Sequence, residues 1–158
     1  MQIIQPLAVL LIAAALLASG SARADAELRD RYILASQKMG ENMLKVIEAC
    51  AADLDTSDID FDYTPRMTEA VGCIIDKHIQ RYGRDETVAL VEDAEAMGER
   101  SFSSLQDMAS IQQEYPRLAT PGMMEITQQC GVIEASRDLP LTKLMQDNMA
   151  TLAPCFTP

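Results

Sequence analysis

The side chains with the widest chemical reach in this chain are carboxylates, thioethers, four thiols and one imidazole. Asp58, Asp60 and Asp62 alternate along the polar stretch 55–64, and Glu69 follows. Carboxylates in such a series can surround a hard cation, which takes about six to eight oxygen ligands. The simpler reading is a solvated acidic turn, because Asp side chains hydrogen-bond nearby backbone and favour non-helical conformations. The ten methionines include the pairs Met39/Met43 and Met145/Met149 and the adjacent Met123 and Met124. Thioether sulfur is a soft ligand that suits Cu(I). However, Met39, Met43, Met67, Met123 and Met145 fall on apolar helical stripes, where methionine serves as an adaptable core filler. His78, the single histidine, follows Ile74 by one turn on an apolar face and reads as a hydrogen-bonded core residue. The chain holds no G-x-S-x-G nucleophile motif and no glycine-rich phosphate loop. Carboxylate groups such as Glu92, Asp93 and Glu95, or Asp53 and Asp55, read as solvated faces. No catalytic set is expected.

Counted from Asp58, the acidic stretch resembles the calcium loop of an EF-hand. Asp58, Asp60 and Asp62 stand at its first, third and fifth positions, Thr64 at the seventh and Glu69 at the twelfth. It departs from that pattern where Tyr63 replaces the turn glycine and where Pro65 opens the next helix. The resemblance implies a calcium site at Asp58, Asp60, Asp62 and Glu69. The cysteines Cys50, Cys73, Cys130 and Cys155 are widely spaced, which excludes a C-x-x-C redox or zinc arrangement. Two structural disulfides are the expectation for an exported chain. Of the three pairings, Cys50–Cys73 with Cys130–Cys155 is slightly favoured, since neighbours in sequence close the shorter loops.

The elements that would hold these residues are helical throughout. Asp25 is positioned to cap a first helix running to about Leu54, with Leu28, Tyr32, Ala35, Met39, Met43, Val46, Ile47, Cys50 and Leu54 facing inward. Thr64 and Pro65 open a second helix that ends near Gly83 and carries Met67, Val71, Ile74, His78 and Tyr82 on one face. Cys73 lies off that stripe, as a residue bonded to another element would. A third helix begins at Asp85, with Val88, Leu90, Val91, Ala94 and Met97 as its apolar content. A fourth is expected from about Phe102 to Tyr115, stopped by Pro116. Thr120 and Pro121 open a fifth with Met123, Ile126, Cys130 and Ile133 on one face. A last helix after Asp138 carries Leu141, Leu144, Met145, Asn148 and Leu152, and Cys155 falls in the tail. The predicted fold is all-α: a compact bundle of five or six short helices stapled by two disulfides.

Residues 1–24 read as a cleavable signal peptide. The apolar run from Leu7 to Ala18 is short for a membrane span and leads to the A-x-A site Ala22-Arg23-Ala24. Residues 25–158 then form a single domain, periplasmic or secreted, with no integral membrane segment after cleavage. The net charge is −11, with 24 acidic against 13 basic side chains. Such a balance disfavours nucleic acid and anionic membrane surfaces and favours a basic protein partner. The resulting expectation is a non-catalytic binding module without a cofactor. The alternative is a periplasmic metal-handling protein, with calcium at the acidic loop or copper at the methionines.

Overall fold

The computed structural model describes the backbone of residues 5–156 and the side chains of residues 25–110 and 113–156. The expected leader, residues 1–24, lies outside the described side chains. Three long helices make the frame: α1 (Gln5–Cys50), α2 (Pro65–Tyr82) and α3 (Arg84–Gly98). Six shorter helices and two 3-10 turns then wrap it: α4 (Leu105–Ala109), α5 (Ile111–Glu114), a turn at Pro116–Ala119, α6 (Pro121–Gln129), α7 (Val132–Ser136), α8 (Pro140–Asp147), α9 (Met149–Leu152) and a turn at Ala153–Phe156. No strand occurs among the described residues.

α1 packs along α3 and then α2. Among the described side chains of α1, Leu28, Ala35, Val46 and Ile47 are buried, spaced to share one face. The closeness of α1 to α3 depends on Gly98, where an added Cβ would fall 2.9 Å from the Ala35 carbonyl oxygen. Asn42 on α1 completes this seam. Its Nδ2 donates to the carbonyls of Gly98 (2.7 Å) and Arg100 (2.9 Å), capping the C-terminal end of α3 from another helix. Arg31 adds a two-pronged ion pair to Glu95 at 2.8 and 2.7 Å, which holds the Glu95 carboxyl below its ordinary range. Asp25 does not cap a helix start. It lies within α1, and its Oδ1 accepts from Arg84 at 3.1 Å.

α2 begins where its chemistry indicates: Thr64 accepts the Met67 N–H, Pro65 follows, and the helix stops at Gly83 (φ 86°). The predicted fourth helix is broken. Ser104 caps α4 only at Leu105, and Ser110 separates α4 from α5. Serine competes for backbone hydrogen bonds, and three serines crowd the entry at 101–104. The face predicted to run from Cys130 to Ile133 is also interrupted. Gly131 adopts the left-handed conformation (φ 65°), so Ile133 emerges on α7 at 57 % exposure.

The disulfides join different partners from those favoured by sequence distance. Cys50 pairs with Cys155, across 105 residues, and Cys73 with Cys130, across 57. Loop-closure cost rises only about 0.6 kcal/mol per doubling of length, so packing decides the pairing. α6 lies against α2 and brings Cys130 to Cys73, while the C-terminal turn lies against α1 and brings Cys155 to Cys50. Cys155 is buried in the cluster of Val46, Ile47, Leu105, Met108 and Leu152. Cys50, expected to face inward, is exposed as the last residue of α1.

Candidate binding surfaces

The acidic stretch forms an exposed loop over the α1–α2 junction. Asp58, Asp60, Asp62 and Glu69 are all solvent-exposed. Asp60 Oδ1 accepts the Asp62 N–H at 3.3 Å. Asp55 Oδ1 accepts both the N–H (3.1 Å) and the hydroxyl (2.7 Å) of Ser57, and these bonds hold the Asp55 carboxyl below its ordinary range. Because Thr64 and Pro65 already start α2, Glu69 belongs to that helix and not to the loop. Among the described residues, no group of three or more His, Cys, Asp or Glu is placed to hold a metal ion.

The methionines divide between core and surface. Met67, Met108 and Met123 are buried, and Met39, Met43 and Met145 pack against the cluster around Leu152. Met124 and Met149 are 65 % and 61 % exposed. The Met145/Met149 pair is split by the helix break at Asn148.

His78 is 4 % exposed, and its Nδ1 lies 2.8 Å from the Thr87 hydroxyl oxygen. Thr87 uses its own proton on the Gly83 carbonyl, at 2.8 Å. It therefore accepts from His78, which fixes the Nδ1–H tautomer. Burial pushes the imidazole pKa down, and the nearby Glu86 carboxylate opposes that shift. The ring packs on Tyr82, with centroids 4.7 Å apart. It borders a recess of about 90 Å³ shared with Tyr82, Glu86, Arg117 and Thr120. Arg117 is held there by Glu86 (2.9 Å) and Asp93 (3.0 Å), while the Thr120 hydroxyl accepts the Met123 N–H as the α6 cap. These bonds already engage most of the polar groups around the recess.

Two surfaces were not apparent from the residue pattern. The first is an open apolar depression on α6 and α7, lined by Leu118, Pro121, Met124 and Ile133 with Glu125 and Gln128 at its edge. Helical spacing places Ile133 on the core face with Ile126, and only the Gly131 turn brings it out. The second is a cleft of about 190 Å³ between α1, the acidic loop and the α7–α8 turn. Met39, Met43, Phe61, Tyr63, Leu139 and Leu141 give it apolar walls, and Asp60 also lines it. Gly40, next to Met39 on α1, lines its floor. A Cβ there would stand 2.9 Å from the Phe61 ring, and Gln37 Nε2 donates to the Phe61 carbonyl at 2.8 Å beside it. Compared with protein-family models, curated proteins and solved structures, the chain matches none of them.

Proposed function

We infer that this chain is an exported, non-catalytic binding module whose α6–α7 face docks a basic protein partner. The observation that carries this reading is the exposure of Met124 (65 %) and Ile133 (57 %) beside Leu118 and Pro121, on a chain of net charge −11. Contiguous exposed apolar side chains rimmed by polar ones mark interaction surfaces. Methionine adds a flexible contact that can adjust to its partner. The acidic balance supplies long-range steering toward positive charge. Two disulfides agree with an oxidising compartment, and the A-x-A segment supplies the route to it.

The test is a photo-crosslinking amino acid placed singly at positions 124, 133 and 34 in an exporting host. Leu34 is also 65 % exposed but lies on α1. The expected result is a mature chain starting at Asp25, with one basic protein crosslinked from 124 and 133 and absent from 34. Equal adducts at all three positions, or none at 124 and 133, would contradict the reading.

A further inference from the structure

We propose that the cleft between α1, the acidic loop and the α7–α8 turn binds a small organic amine: one apolar ring or short chain carrying a single cationic head. This site shares no lining residue with the α6–α7 depression and does not depend on it.

Size sets the first limit. A dry cavity of about 150 Å³ accepts benzene, whereas drug-sized ligands use roughly 300–1,000 Å³. The cleft, at about 190 Å³, therefore suits a benzene-sized body with a short arm. Its walls favour such a body. Met39 and Met43 offer polarizable thioethers one turn apart on α1, opposite Phe61, Leu139 and Leu141. Sulfur–aromatic contacts are favourable, and flexible thioethers adapt to the shape of a guest. The wall is also held in place. Gln37 anchors the Phe61 backbone, and the absent Cβ at Gly40 lets the Phe61 ring lie against α1.

Charge sets the second limit. Asp60 is the one acidic side chain lining the cleft, and Asp58 and Asp62 flank it in the loop. Among the described residues, none of these three carboxylates forms an ion pair, although ten ion pairs occur elsewhere. Asp60 engages only the Asp62 N–H, at 3.3 Å, which leaves acceptor capacity for a cation. The same field disfavours carboxylates and gives nothing extra to an uncharged guest. An ammonium on an apolar body satisfies both the walls and the loop.

The probe is 2-phenylethylamine, added to the full-length folded protein carrying ¹³C-methyl methionine. Its uncharged counterpart 2-phenylethanol and the anion 3-phenylpropionate serve as controls. The expected result is saturable movement of the Met39 and Met43 methyl signals with the amine, while exposed Met124 and Met149 stay still. The alcohol should bind about fivefold more weakly, the upper end of what one exposed ion pair contributes. Asp60→Asn should bring the amine down to the level of the alcohol without changing the melting temperature, and added salt should do the same to the wild type. The proposal is overturned if Met39 and Met43 do not respond, if alcohol and amine bind equally, or if Asp60→Asn leaves the amine unaffected.

Discussion

His78 shows how one residue can be read correctly in kind and still carry information that only its neighbours reveal. Its lone occurrence beside Ile74 indicated a core imidazole, and it is one. The Thr87–Gly83 relay that fixes its tautomer depends on the chain turning back at Gly83, which no spacing rule contains. That environment has a pH consequence. Burial lowers the folded-state pKa below the ordinary 6.5, so the unfolded chain binds the proton more readily. The stabilisation from neutral His78 is complete above about 6.5 and is lost as pH falls toward the folded-state value. Chemical denaturation at pH 7.5 and pH 5.5 should show lower stability at the acid value. In a His78→Gln variant that difference should shrink; an unchanged difference would assign the acid loss to other groups. Tyr32 lies beyond such a measurement, since burial pushes its phenol up to about 12.

Among the elements, α2 and the start of α6 were the most legible, because each announces itself with a threonine cap and a following proline. The predicted helix across 102–115 failed because apolar spacing alone cannot weigh four serines between Ser101 and Ser110 against helix continuity. Gly98 ends α3 and lets α1 approach it closely. Gly98→Ala should therefore destabilise the protein by about 1–3 kcal/mol through overpacking. On an open helix the same change would gain roughly 1 kcal/mol. Asn42→Ala should cost about 1–3 kcal/mol by leaving the Gly98 and Arg100 carbonyls without their donor. Thermal melts of both variants check this seam, and a stabilised Gly98→Ala would contradict the described packing of α1 on α3.

At the scale of the whole molecule, the all-α class and the pairing of all four cysteines followed from periodicity and composition, but connectivity did not. Sequence distance favoured local pairs, whereas the folded chain ties the end of α1 to the C-terminal turn and α2 to α6. The cleft was hidden for a similar reason: its walls come from segments about a hundred residues apart in order, near Met43 and near Thr142, and no local pattern joins them. Non-reducing peptide maps should yield Cys50 linked to Cys155 and Cys73 linked to Cys130. Replacing either pair by alanine should cost about 2–5 kcal/mol, more for Cys50–Cys155 because it closes the longer loop. Equal losses would point to effects other than loop closure. We propose that this acidic, disulfide-tied helical module docks a basic partner on α6–α7. The most direct test is the affinity of the crosslinked partner, once purified, for the wild-type protein and for the Met124→Asp/Ile133→Asp variant at low and high salt. The expected result is at least tenfold weaker binding by the variant at an unchanged melting temperature, and wild-type binding that weakens as salt rises. Equal affinity of the two proteins, or binding indifferent to salt, would contradict it.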